Sequence, residues 1–287
     1  MAVYKRTYKP YDGAMTPEWS RFLILPRFAW QSLFQQRFLL IFYVICFFYP
    51  VGAAISLYLN HNLSFLQQYL PIQQKQLFEV SGQFFLIFTS FQAAMAFLLT
   101  AFVGPGLVSP DLANNALPLY FCRPFSRTEY VLGKLLVIAW LTAQITWIPG
   151  LILFVIQWSL AGSEWFRDHS WLAWSVFLTN FIWTLLISLL ALALSAWVRW
   201  KIIAGALLLV IFFLGAGLAQ AVNAVLRTDA GYWIDLATNF GQLCQHLYRI
   251  KGQEVTSMEE ALTSLLLMCA FSVWLLWRKV RAYEVSR

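Results

Sequence analysis

Charge is what this chain has least of. Only 20 Lys and Arg and 13 Asp and Glu occur among 287 residues, 11% of the total, against 60% hydrophobic residues. Soluble domains carry about 25% charged residues, so a single water-soluble domain is excluded. Disorder is excluded from the other direction by 25 Phe, 14 Trp and 12 Tyr, since disordered chains are poor in aromatics. Histidine is confined to His61, His169 and His246, and cysteine to Cys46, Cys122, Cys244 and Cys269, each in a different segment. Those spacings match neither a metal knuckle nor a disulfide framework, and the lone C-x-H at Cys244 and His246 is too sparse for zinc. No G-x-x-x-x-G-K-[ST] is present, so the chain cannot cradle nucleotide phosphates in the P-loop manner. The first 37 residues are polar and basic and lack the short apolar core of a cleavable signal. The first apolar helix is expected to act as the insertion signal.

What the chain has in excess is long apolar runs. A helix crossing a bilayer core of about 30 Å needs about 20 of them, and six windows qualify: residues 38–59, 84–108, 135–160, 171–197, 202–226 and 261–277. Lipid offers the backbone no partners, so each must be helical. The expected fold is therefore all-α, a polytopic membrane protein with six transmembrane helices. Residues 1–37 form an N-terminal segment, 38–277 the spanning domain, and 278–287 a basic tail. The fourth and fifth spans are joined by residues 198–201 alone, enough for a tight hairpin only.

Basic residues are retained on the cytoplasmic side. Fifteen of the 20, including Arg27, Arg37, Arg123, Arg127, Lys134, Arg199, Lys201, Arg278 and Lys279, fall on the side of the two termini. Both termini are thus expected in the cytoplasm. The surplus of +7 is strung between apolar runs, not clustered as nucleic-acid binding requires. Lipid headgroups are the expected partners of these charges. Residues 17–37 read as an amphipathic interfacial helix: Pro26 suits a first turn, Trp30, Leu33 and Phe34 share one face, and Arg27, Gln31 and Gln35 the other. The outer segment 227–260 is acidic and aromatic, and either caps the bundle or dips back into it.

None of the six windows contains Asp, Glu, Lys, Arg or His. Proton relays and ion-coupled transporters need such groups at membrane depth, so both are disfavoured, as is an intramembrane hydrolase built on Ser188 or Ser195. Neutral polar residues are left to line a pathway. Thr89, Gln92 and Thr100 stack along one face of the second span with Ala96, and Ala216, Gln220 and Asn223 do so in the fifth, preceded by Phe212 and Phe213. The choice lies between helix-packing glue and a cavity wall for an apolar or amphipathic cargo.

The connection after the second span carries the strongest local signals. Ser109 before Pro110 and Asp111 reads as a helix start, with a capping hydroxyl, a proline and an acid. Asn115 tolerates a left-handed conformation, and Pro118 disfavours helical geometry at Leu117. A helix starting at Ser109 should thus end within about two turns. Ser126 and Glu129 make an S-x-x-E capping box that launches the third span. The connection, residues 109–130, is expected to be a preformed elbow.

At Ser109, Asp111, Leu117, Arg123, Pro124, Ser126, Arg127, Tyr130, Leu132, Gly133 and Lys134 the chain resembles the permease subunits of ABC type-2 transporters. In these, an acidic helical stretch leads to Arg-Pro-x-Ser-Arg and then Tyr-x-Leu-Gly-Lys. Asn115 stands where such permeases carry Gly, and Ala113, Asn114 and Pro118 where they carry Glu, leaving a less acidic surface. The resemblance implies an exporter subunit in a bacterial inner membrane, paired with a second permease copy or a related permease. A separate ABC ATPase would bind ATP and Mg, with no cofactor and no catalysis in this chain. It further implies that Ser109, Asp111, Asn115, Arg123, Pro124, Ser126 and Arg127 couple to the ATPase. Thr89, Gln92, Thr100, Phe212, Phe213, Gln220 and Asn223 would border the substrate path. Two other classes compete with this: a non-transporting membrane scaffold, and an enzyme drawing its chemistry from Asp229, Asp235 and His246.

Overall fold

The structure, a computed structural model, describes residues 17–62, 80–121, 126–250, 252 and 255–280. It is all-helical, with no strand among the described residues, and six helices are long and apolar enough to cross a membrane. They are Arg37–His61, Gly82–Ala113, Arg127–Ala161, Ser163–Trp197, Lys201–Leu226 and Met258–Lys279, spans 1 to 6 below. Each contains its expected window and runs past it, because the helix continues into polar flanks until a cap or a proline stops it. The side bearing the connection between spans 2 and 3 is the elbow side, and the opposite one the far side.

Two of the six are broken, each by a proline. Pro105 has no N–H to offer the carbonyl of Ala101, and span 2 divides into Gly82–Val103 and Pro105–Ala113. Pro149 does the same to span 3, which divides at Thr146 into Arg127–Ile145 and Trp147–Ala161. A ring inside a helix removes one hydrogen bond and clashes with the preceding turn.

Span 4 is the centre of the bundle, packing against parts of spans 2, 3, 5 and 6. In lipid, packing rather than hydrophobicity drives helix association, which favours small residues at contacts. Span 4 supplies Ala191, Ala193, Ser195 and Ala196, all buried, and its neighbours answer with glycine. A Cβ on Gly104 would lie 2.7 Å from the Ala191 Cβ, and one on Gly205 of span 5 would lie 2.8 Å from the Ala101 carbonyl oxygen. At 35 residues, span 4 is about 52 Å long at 1.5 Å per residue. Its first turns therefore project beyond the apolar layer on the far side.

The N-terminal segment forms a short 3-10 turn, Glu18–Leu23, and a helix, Ile24–Phe34. Pro26 sits in the first helical turn, and Arg27, Gln31 and Gln35 are exposed as the pattern requires. Leu33 is buried, and Trp30 donates its indole N–H to the Val137 carbonyl of span 3 at 3.3 Å. Phe34 departs from the expected face: it is 39% exposed and meets Tyr43 edge-on.

The far-side segment is a cap. A 3-10 turn, Ala230–Ile234, leads to the helix Leu236–Leu247, whose N-terminus is capped by the Asp235 carboxylate accepting from the N–H groups of Ala237 and Thr238. That helix packs on spans 4, 5 and 6. Trp183 of span 4 stacks on its Phe240 with ring centroids 4.2 Å apart. Span 6 then begins with a second capping box, Ser257 with Glu260.

Candidate functional site: the elbow and the buried polar faces

The elbow helix begins earlier than its sequence suggests. Pro105 takes the first helical position and Gly104 the cap, so Ser109 lies mid-helix and fully buried rather than capping anything. Its role comes from span 4. The Ser195 hydroxyl accepts from the Ser109 N–H at 2.8 Å and donates to the Pro105 carbonyl at 2.9 Å. An undisturbed helix would pair those two groups with each other, so a foreign hydroxyl is inserted into its ladder, a recognised cause of bending. The Ser109 hydroxyl in return lies 3.0 Å from the Ser195 carbonyl and 2.7 Å from the Val198 carbonyl. The last carbonyls of a helix have no partner within it, and the single Ser109 hydroxyl proton is shared between two carbonyls at the end of span 4.

Asp111 also turns inward. One carboxylate oxygen accepts from the Tyr130 hydroxyl at 2.7 Å and from the Lys134 ammonium at 2.8 Å. Lys134 donates further to the Leu107 carbonyl at 2.7 Å. The Asp111 and Lys134 side chains are 17% and 10% exposed. Tyr130 and Lys134 stand one turn apart at the start of span 3, so both reach the same acceptor on the elbow. Tyr120 packs its ring against Tyr130 at 5.5 Å, and burial, then the Asp111 charge, raise its phenol above the usual range.

The elbow ends as its sequence predicts. Asn115 is left-handed, φ 51°, with Ala116 N–H bonded to the Asp111 carbonyl at 2.8 Å and Asn115 N–H to the Leu112 carbonyl at 3.3 Å, a Schellman stop. Leu117 starts a second short helix, Leu117–Phe121, contrary to the expectation from Pro118. The proline falls in the first turn, where its missing N–H has no partner to lose. The capping box is present as expected: the Ser126 hydroxyl accepts from Glu129 N–H, and Glu129 returns to Ser126 N–H. Arg127 is exposed beside it. Arg123 and Pro124 lie outside the described residues.

Ser109 and Asp111 thus bind the elbow to the bundle, whereas Asn115, Ser126 and Arg127 face outward. Between the elbow, the span 4 to 5 hairpin and the end of span 6 lies a pocket of about 310 Å³, whose lining includes Asp111, Asn115, Trp197, Arg199 and Lys279. Sequence reasoning missed the part played by Ser195, which lies in an apolar run without a local signal. The Tyr130–Lys134 pair was legible as two polar groups on one face.

The polar residues expected along a pathway do not meet around one cavity among the described residues. Thr89 shares a 2.7 Å hydrogen bond with the hydroxyl of Tyr248, which comes down from the far-side cap and also lies 3.3 Å from Thr179. Burial pushes the Tyr248 phenol up. Gln92 donates to the Cys46 carbonyl of span 1 at 3.2 Å, and Thr100 is fully buried. Phe212 packs between Phe97 and Trp183, at 4.5 and 5.6 Å. Asn223 accepts from Gly231 N–H at 2.7 Å. Phe213 is 74% exposed, and Gln220 is exposed too. Consecutive residues are about 100° apart on a helix, so Phe212 and Phe213 cannot share a face.

No protein-family model matches this chain, and no curated protein matches it in sequence.

Proposed function

We propose that the chain is the permease subunit of an ATP-driven ABC exporter of an apolar or amphipathic cargo. It works as a dimer with a second copy or a related permease, and a separate ATPase subunit binds ATP and Mg. The observation that carries this reading is the double attachment of the elbow: Ser109 to the end of span 4 through Ser195, and Asp111 to the start of span 3 through Lys134 and Tyr130. A push on a segment held at two points is passed to both spans rather than absorbed locally. Asn115, Ser126 and Arg127, with Arg123 and Pro124 by resemblance, face the ATPase. The uneven distribution of basic residues supports a cytoplasmic elbow and cytoplasmic termini, and the permease resemblance is what suggests a bacterial inner membrane. Phe213 and Gln220 on the open face of span 5 border the path between copies, and the buried Thr89, Gln92, Thr100 and Phe212, with the half-buried Asn223, hold the protomer behind it.

Two measurements test this. Purification from native membranes should bring down an ATPase in stoichiometric amount, and Arg123→Ala with Arg127→Ala should abolish transport-linked ATP hydrolysis while the complex still assembles. Unchanged stimulation of hydrolysis by the double variant refutes the coupling role. Uphill transport by the chain reconstituted alone refutes the whole reading.

A further inference from the structure

Ser109 and Asp111 hold the elbow on its inner face. Its outward end, through Leu112, Asn115, Leu117 and Pro118, lines the pocket of about 310 Å³ shared with the span 4 to 5 hairpin and the end of span 6. Two cations face that pocket, Arg199 of the hairpin and Lys279 of span 6, and neither is paired with a carboxylate among the described residues. The acid in the wall, Asp111, is already neutralised by Lys134 at 2.8 Å. Both positive charges of the pocket are therefore left uncompensated.

Tryptophan marks the depth. Trp197 forms part of the wall, with its indole N–H donated to the Leu275 carbonyl of span 6 at 3.3 Å and the Lys279 ammonium 5.3 Å from its ring centroid. Trp200 and Trp277, beside Arg199 and Lys279 in the chain, are 72% and 68% exposed. Indoles collect at the headgroup level of a bilayer, so the pocket lies at the depth of lipid phosphates. Its remaining lining, which includes Leu112, Leu117, Pro118 and Ala196, is apolar, and an inorganic anion would leave that surface uncovered. Water takes about 30 Å³ per molecule, so the pocket is the size of about ten waters, room for a phosphate with its glycerol but not for a whole lipid. Arg offers a fork that matches two phosphate oxygens, and Lys a point charge. A zwitterionic headgroup brings its own ammonium, which the two cations repel; an anionic one does not.

We propose that this pocket binds the phosphate and glycerol of an anionic phospholipid from the elbow-side leaflet. The phosphate lies between Arg199 and Lys279, and the glycerol esters lie against Trp197, Leu112 and Leu117. The lipid joins the outward end of the elbow to spans 4 and 6, a third attachment besides those made by Ser109 and Asp111. The site rests on insertion in a membrane and not on the permease reading, since no ATPase takes part in it.

The test is native mass spectrometry of the full chain in a neutral detergent, with phosphatidylglycerol and phosphatidylcholine of identical acyl chains added in turn. Phosphatidylglycerol is expected to bind about tenfold more tightly, the order of effect that two basic side chains give with anionic lipid. Arg199→Gln with Lys279→Gln should remove most of that preference. Lys201→Gln with Arg278→Gln takes two charges from the same side but outside the pocket, and should keep it. Equal affinity for the two lipids in the unaltered chain overturns the proposal. So does a loss of preference as large in the second double variant as in the first, which reduces the effect to a general basic surface. Displacement of the bound lipid by millimolar inorganic phosphate assigns the pocket to a free anion, and a first double variant that keeps its lipid preference but loses a copurifying ATPase assigns it to an acidic protein partner; either result also overturns it.

Discussion

Replacing Lys134 with Met should be among the costliest single changes outside the apolar core. The substitution keeps most of the side-chain volume but takes the cation away from Asp111, whose carboxylate oxygen it approaches to 2.8 Å in a site where both side chains are less than one-fifth exposed. Removing one member of a buried ion pair costs about 3–5 kcal/mol, chiefly because the other charge is left uncompensated. Asp111 retains the Tyr130 hydroxyl, so the lower end, about 3 kcal/mol, is expected. Asp111→Asn should cost less, since the amide still accepts from Tyr130. The two changes together remove both charges and should cost less than the sum of the single effects, with a coupling energy of about 2 kcal/mol. Reversible unfolding of the purified protein in mixed micelles gives all four corners of the cycle. Added salt should leave the coupling largely intact, since screening acts mainly on exposed charges. Coupling below about 0.5 kcal/mol would refute the attachment of the elbow to span 3 through this pair.

Three further outcomes follow from the same geometry. Ser195→Ala removes the hydroxyl bridging Ser109 N–H and the Pro105 carbonyl; a loss of about 1–3 kcal/mol and faster amide exchange in the elbow are expected, and adding Ser109→Ala should cost about 1 kcal/mol more, because the Ser109 hydroxyl bonds main-chain carbonyls that Ser195→Ala leaves in place. Asn115→Gly should be nearly neutral and Asn115→Val destabilising by about 1–2 kcal/mol, because a β-branched side chain resists the φ of 51° found there; thermal unfolding separates the two. Tyr248→Phe deletes the hydroxyl shared with Thr89 and Thr179; hydrogen exchange should rise in the far-side helix Leu236–Leu247 while the elbow is unaffected.

The number and approximate limits of the spans were legible because hydropathy is a property each helix carries alone. So were the features that depend on a few neighbours in the chain: the Ser126 and Glu129 capping box, the left-handed Asn115, and Pro26 in the first turn of the N-terminal helix. The capping box at Ser257 and Glu260 has the same signature and could have been read in the same way. Ser109 shows where local reading failed, since a cap-like S-P-D was outcompeted by Pro105 four residues earlier.

Which faces turn inward could not be read along the chain. Ser109 finds its partners 86 to 89 residues away, Thr89 finds Tyr248 at a separation of 159, and Gln92 finds the Cys46 carbonyl at 46. An apolar run bounds only the length and depth of a helix. The rotation of each helix about its axis is set by which small residues let neighbours approach and which polar groups find partners. Only the assembled bundle decides that, and it buries Phe212 and exposes Phe213.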